Sequence, residues 1–366
     1  MAMQLGLFGE NNFDEQKRLN RLTILGDRLP RLNEIINWED FRPELQKVFT
    51  SKPEEHGGRP RYDLVLMFKI LILQRLYNLS DEQTEYQISD RMSFMRFLDL
   101  DLKSPVPDAK TIWAFREKLV TAQAGDTFFD IFLKKLEESG YITKRGSIVD
   151  ATFVEVPRQR NTPEENAKIK EGKVPEEWES KENKHKKAQK DTDARWTKKG
   201  NDTYYGYKDH VKVDADSKLI VKAETTSANV HDSQVTSELV DENDKVIYAD
   251  SAYDGAPVAE QLPPTVESRI HERARRNHPL TDEQKKSNRE KSKVRVRVEH
   301  VFATMTMSFY GLTLRCIGKA RATFNIALLN LTYNMYRYEC LCRMKDRGLV
   351  SVAFFRKAEE MIRTRR

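Results

Sequence analysis

Two apolar runs of strand character each deliver an aspartate to a place where a buried sheet does not tolerate a free acid. Ile148-Val149-Asp150-Ala151-Thr152-Phe153-Val154 carries Asp150 in mid-run, and Val246-Ile247-Tyr248-Ala249 leads directly into Asp250. A carboxylate in a buried strand is costly unless it is hydrogen-bonded, paired or bound to a metal. A third acid, Glu299, stands in the basic stretch Lys293-Val294-Arg295-Val296-Arg297-Val298-Glu299-His300 that leads into an apolar helix. Acids on two strands and one helix, in a basic chain, point to Mg²⁺ ions acting on nucleic-acid phosphates. Two such ions can activate an oxygen nucleophile, stabilise the leaving oxygen and neutralise phosphate charge, and a few carboxylates suffice to hold them.

The pattern around these runs predicts an α/β protein with an all-helical N-terminal region. Residues 1–140 read as helices. Residues 51–60, rich in Gly and Pro, form a linker, and Tyr62 to Leu76 is apolar nearly all round, as in a central helix. Ser80-Asp81-Glu82-Gln83 is a capping box opening a helix to about Phe97, and Asp108 caps a helix over Ala109 to Val120. Short helices joined by tight turns are compatible with helix-turn-helix DNA binding, with Lys110, Arg116 and Lys118 as groove-facing candidates. From residue 141 to 343 the chain reads as strands followed by helices on a mixed sheet. The strands are Gly146–Val156, a hairpin of Tyr204–Asp214 and Leu219–Thr226, Lys245–Ala249 and Val266–Ile270. Helices follow over Asp232–Val240, from about Lys291 to Tyr310, and from about Ala320 to Cys342. An insertion at 158–200 holds a helix capped at Thr162 and a second starting at Pro175. Residues 344–366 form a basic tail.

Charge is concentrated rather than large. The 366 residues carry a net +6, yet residues 269–297 hold 11 Lys/Arg against 4 Asp/Glu, a local +7. That footprint fits a polyanion partner and singles out Arg273, Arg275, Arg276 and Arg297 as DNA contacts. A second basic patch, Arg195, Trp196, Lys198 and Lys199, sets an aromatic among cations, suited either to stacking on an exposed base or to packing on the domain surface. Three cysteines make no disulfide framework and point to a reducing compartment. The N-terminus has no signal-peptide pattern, and the most apolar run, Leu64 to Leu76, is too short and too charged to span a membrane. No Ser/His/Asp triad, phosphate loop or dinucleotide fingerprint is present.

Other polar residues read as accessories. Arg295 lies one helical turn before Glu299 and is placed to hold that carboxylate or a DNA phosphate. Lys208, His210, His231 and Asp232 lie near the presumed site, with His231-Asp232 suited to a cap or a supporting hydrogen bond. Asp209, Asp214, Asp216, Asp232 and Asp254 read as turn residues, the default for Asp.

Several segments, in this order, resemble the bacterial insertion-sequence transposases of the DDE type, the group related to insertion sequences four and five. They are Gly58-Arg59-Pro60 with the apolar helix that follows, Tyr77-Asn78-Leu79-Ser80-Asp81, Pro107-Asp108 with Phe115-Arg116, Ile148-Val149-Asp150-Ala151-Thr152, Tyr205-Gly206-Tyr207-Lys208-Asp209-His210, Ala228-Asn229-Val230-His231-Asp232, Ala249-Asp250-Ser251-Ala252-Tyr253-Asp254-Gly255 and Val298-Glu299-His300. The resemblance implies an RNase H-like catalytic domain in which Asp150, Asp250 and Glu299 bind two Mg²⁺ ions, with Mn²⁺ able to substitute. It implies a helical region that binds terminal inverted repeats and contributes to assembly. The implied activity is cleavage of double-stranded DNA ends followed by joining to target DNA, in a homodimer or larger synaptic complex of the bacterial cytoplasm, associated with the nucleoid and not with a membrane. The family's Tyr-Arg-Glu-Lys signature is met at Arg295 and Glu299 but has Ser292 and Thr306 at its outer positions. A catalytically reduced DNA-binding regulator and an RNase H-type nuclease are the alternative readings.

Overall fold

The structure, a computed structural model, describes residues 12–50, 61–275 and 278–349; side chains at 12–15, 184, 256, 257 and 259 are outside the description. The expected linker at 51–60, Arg276 and the tail beyond 349 therefore lie outside the described residues. Two compact units emerge. One comprises residues up to Gln74 together with Leu79–Arg116, the other Arg75–Asn78 together with residues from Glu117 on.

The first unit is helical: α1 (Asn12–Ile24), α2 (Leu29–Ile35), α3 (Arg42–Val48), α4 (Leu64–Leu76), α5 (Asp81–Asp90), α6 (Met92–Phe97) and α7 (Ala109–Thr121), whose last residues belong to the second unit. Phe68, Ile70, Leu71, Ile72 and Leu73 of α4 are wholly buried, as its unbroken apolar character predicts. Ser80 caps α5 through its hydroxyl, which accepts from Gln83 N. The helix expected to continue to Phe97 breaks at Arg91, whose extended backbone (φ −101°, ψ 114°) separates α5 from α6. Lys69 is also buried, tolerated because Nζ reaches Asp99 Oδ2 at 2.8 Å and lies 5.0 Å from the Phe97 ring.

The second unit is built on a mixed sheet of β1 (Ser147–Glu155), β2 (Arg195–Lys199), β3 (Asp202–Asp214), β4 (Ile220–Ser227), β5 (Val246–Ala249) and β6 (Glu267–Ile270). Its order is β2-β3-β1-β5-β6, with β4 also on β3; β1, β2 and β4 run antiparallel to β3, while β1–β5 and β5–β6 are parallel. Helices α8 (Gly125–Glu138), α9 (Pro163–Lys170), α10 (Lys184–Ala188), α11 (Thr236–Leu239), α12 (Ala256–Gln261), α13 (Asp282–Ser308) and α14 (Lys319–Asp346) complete it. This is the mixed α/β arrangement expected for the catalytic half. α8 belongs to this unit and packs on α14.

Each face of the sheet has its own core. Val149, Ile247 and Ala249 pack with Val235, Leu239 and Tyr253 on one side. Val154 and Tyr207 pack with Ala322 and Ile326 of α14 on the other. Asn334 of α14 reinforces the second side by pairing both backbone groups of Ile220, at 2.9 and 2.8 Å. The insertion is tied to the same side through buried Asp191, whose carboxylate accepts from Tyr207 Oη (2.9 Å), Ala194 N (2.9 Å) and Gly318 N (2.9 Å). The helix expected at Pro175 is a single 3₁₀ turn, Glu176–Trp178, that buries Trp178 completely.

α13 begins nine residues before the expected Lys291. Thr281 and Gln284 form a reciprocal capping box that fixes the start, and the alternating valines that also suited a strand divide by helical geometry: Val298 is buried while Val296 is exposed.

Gly206 has no substitute in this register. Its φ is +149°, and a Cβ there would lie 2.3 Å from Val154 O, a backbone atom of the strand carrying Asp150. Gly206→Ala is expected to lower unfolding free energy by about 2–4 kcal/mol. Urea denaturation would measure it, and an unchanged midpoint would mean that β3 and β1 separate here at little cost.

Candidate active site

Register explains how the two aspartates meet. Ile148 of β1 pairs with Tyr248 of parallel β5, so two residues further along each strand the chain reaches Asp150 and Asp250 on the same side. Asp250 lies just past β5, where its Oδ1 accepts Ala252 N at 2.7 Å and caps the turn Ser251–Tyr253. Asp150 is largely buried, and its Oδ1 accepts Ala151 N at 2.8 Å.

α13 packs against β1 and β5 and supplies the third acid together with a cation. Arg295 Nη1 lies 2.8 Å from Asp150 Oδ2 and 3.2 Å from Glu299 Oε1, bridging strand and helix. Burial pushes the Asp150 carboxyl up to about 6, against the pull of the Ala151 N–H and of Arg295; the charges of Asp250 and Glu299 raise it further. Three acids thus share one field with one partly buried cation, Arg295, bridging two of them.

That candidate donor set suits a hard divalent ion in chemistry and in charge: all three side chains are carboxylates, and Arg295 offsets only part of their charge. Among the described residues no three of His, Cys, Asp and Glu are drawn tightly enough to chelate an ion as placed. Glu299 is half-exposed, and Arg295 stands between it and Asp150. Chelation requires these two side chains to turn.

Lys208 and His210 occupy the opposite face of the sheet from Asp150. Asp150 pairs with Val211, while Ala151 pairs with His210 and Phe153 with Lys208, so the pleat directs them the other way. There Lys208 Nζ donates to Val230 O (2.7 Å) and Asp232 Oδ1 (2.8 Å), and His210 Nε2 lies 2.8 Å from Thr226 Oγ1. Burial pushes His210 down to about 4, leaving it neutral. His231 accepts from Ser233 N as the cap of the following turn. Asp232 thus anchors Lys208 from a turn, as expected of it. Asp209 does not lie in a turn: it is in the middle of β3 and completely buried against Asn330 of α14.

The expected DNA contacts divide by what they already hold. Arg116 is committed to Asp81 (2.7 Å, both oxygens) and Gln74. Arg195 donates to the carbonyls of Thr192, Ala194 and Ile169, and Arg297 to Ala215 O at 2.7 Å and Asp216. These guanidiniums have structural partners and are poorly placed to reach phosphate. Trp196 is half-exposed, with Tyr205 tilted against it and Arg158 over its ring. Lys110, Lys198, Arg273 and Arg275 are exposed and pair with no acid among the described residues, and Lys199 lies over the Phe153 ring.

Two further residues lie at the site, to neither of which the sequence assigns a role. Tyr253 is buried, and its hydroxyl has no partner among the described residues although Asp232, Asp150 and Asp250 all act on it. His271 follows β6 and hydrogen-bonds Ser292 of α13. Tyr253 stands only within the segment around Asp250, and His271 in no motif at all. Only the parallel β5–β6 pairing, which runs on to His271, brings it beside Asp250. Ser292 and Thr306, at the outer signature positions, turn their hydroxyls to the carbonyls of Asn288 and Phe302.

A family model described as Transposase DDE domain matches residues 142–335, and one described as Transposase domain (DUF772) matches residues 16–118. Among solved structures, the chain is similar to one described as a cryo-EM structure of a piggyBac transposase synaptic complex with hairpin DNA. The identity is 11% and the TM-score 0.43, over 92% of this chain and 78% of that one.

Proposed function

The chain belongs to the DDE-domain transposases, and from that premise we propose that Asp150, Asp250 and Glu299 are its metal-binding carboxylates. The observation that carries the assignment is the Arg295 bridge, which joins Asp150 of β1 to Glu299 of α13 beside Asp250. Mg²⁺ at two sites, with Mn²⁺ as a substitute, would supply activation of the attacking oxygen and stabilisation of the leaving one. The chain's own residues do the rest. The Ala151 and Ala252 N–H groups fix one oxygen each of Asp150 and Asp250. Arg295 favours the ionised form of Asp150 against its burial. Glu299, exposed on α13, is free to turn toward the strand acids when DNA enters.

The substrate in this reading is double-stranded DNA: terminal inverted repeats are cleaved, and the freed 3′-hydroxyls are joined to target DNA in a dimer or larger assembly. The bacterial cytoplasm is the proposed location; no described helix is long and apolar enough to cross a membrane. A strand-transfer assay with end duplexes, supercoiled target and Mg²⁺ decides among readings. Joined product supports transposition, cleavage alone the nuclease, and binding without either the regulator.

The DNA path is proposed to run over the exposed cations before and along α13. Arg273→Ala with Arg275→Ala is expected to shallow the plot of log affinity against log salt by about 0.9 for each phosphate these cations neutralise in the wild type. A slope equal to the wild type's would put the path elsewhere.

A further inference from the structure

His271 is held beside the acids by both its backbone and its ring. Its N–H donates to Ala249 O at 3.1 Å, fixing it against the residue that precedes Asp250. Its Nε2 lies 3.2 Å from Ser292 Oγ, on the α13 turn before Arg295. Ser292 gives its single proton to Asn288 O at 2.8 Å. The serine oxygen therefore meets the imidazole with lone pairs, and Nε2 carries the hydrogen. With that hydrogen on Nε2, Nδ1 is left as the acceptor nitrogen of the ring. Nδ1 has no hydrogen-bond partner among the described residues, and the ring is only partly covered. One imidazole nitrogen is tied down and the other is open, on the residue that the β5–β6 register sets level with Asp250.

We propose that His271 is a further catalytic residue, whose Nδ1 accepts the hydrogen bond of the attacking hydroxyl and aims its oxygen at the phosphodiester. The hydroxyl belongs to water in end cleavage and to the 3′ end in joining; the inference rests on the transposase reading of the three acids. In each displacement the nucleophile's oxygen bonds to phosphorus and the bond from phosphorus to the 3′-oxygen breaks. The nucleophile's proton goes to solvent, and the departing oxygen takes one from solvent. His271 changes the approach and not the balance of the reaction.

Two measurements test this. His271→Gln keeps a donor where Nε2 stood, toward Ser292, and removes Nδ1. It is expected to bind end duplex as the wild type does while single-turnover cleavage and joining slow by about 10- to 100-fold. His271→Asn, which retains a polar atom near the Nδ1 position, is expected to recover part of that loss. Independently of activity, diethylpyrocarbonate should modify His271 of the wild-type protein in EDTA, read by mass spectrometry, and bound end duplex should protect it. Wild-type rates in His271→Gln, or equal modification with and without DNA, would overturn the assignment. If the wild type cleaves, Asp150→Asn does not, and His271→Gln matches the wild type, only the histidine assignment fails. If the wild type neither cleaves nor joins, the transposase reading fails with it.

Discussion

Replacing Asp150 with asparagine is expected to reduce DNA-end cleavage on the order of 10³-fold while leaving end binding in place. The amide has the shape of the carboxylate but neither its charge nor its affinity for a hard cation. The protein should survive the change. Asp150 is ionised against its burial, which already pushes its pKa up to about 6, so a neutral side chain removes a desolvation cost as well as an ion pair with Arg295. Lost activity would then not reflect lost fold, and a melting curve of the variant separates the two. Glu299→Gln should act like Asp150→Asn in cleavage, but with less effect on stability, because Glu299 is half-exposed. Native-rate nicking of inverted-repeat DNA by Asp150→Asn would remove Asp150 from the site.

The acids were legible because each offends a local rule. Asp150 interrupts an apolar strand, Asp250 ends one, and Glu299 follows Arg295 at the spacing of one helical turn. Their meeting depends on something no local pattern carries: the parallel register of β1 and β5 and the packing of α13 over both. The same gap misled the reading of Lys208 and His210. They are close to Asp150 through the β1–β3 ladder, yet a period of two puts them behind the sheet. Arginines were harder still. Arg116, Arg195 and Arg297 read as free cations in the chain, but their partners are carbonyls and acids that only the fold brings near, some of them dozens of residues away. Asp209 failed for a related reason. Asp209 reads as a turn residue by default, whereas β3, the strand expected over Tyr204–Asp214, runs through it because each polar residue there finds a partner: Asp232 for Lys208, Thr226 for His210 and Asn330 for Asp209.

Asp209→Asn is expected to stabilise the protein at pH 8 and to do so by less than half as much near pH 5. Asp209 is completely buried, its Oδ1 accepts from Asn330 Nδ2 at 3.0 Å, and its Oδ2 and the Asn330 Oδ1 are both buried without partners. A proton on Oδ2 lets the two orphans satisfy each other. Burial pushes the carboxyl up to about 7, only partly offset by Asn330. The sign follows from proton binding. Between the ordinary carboxylate pKa and about 7 the folded protein holds a proton that the unfolded chain has released. Stability contributed by this group is therefore full in acid and falls as pH rises through that window, by up to about 4 kcal/mol for a shift of this size. Asparagine at 209 carries a permanent donor in place of that proton and forms the reciprocal amide pair with Asn330 at every pH. His210, held neutral by burial, works in the opposite direction below its ordinary pKa, so the comparison must be between variant and wild type at each pH rather than along one curve. Urea unfolding at pH 5 and pH 8 reads the difference. A variant less stable than the wild type at pH 8 would mean that some other group satisfies the ionised Asp209 carboxylate in the fold.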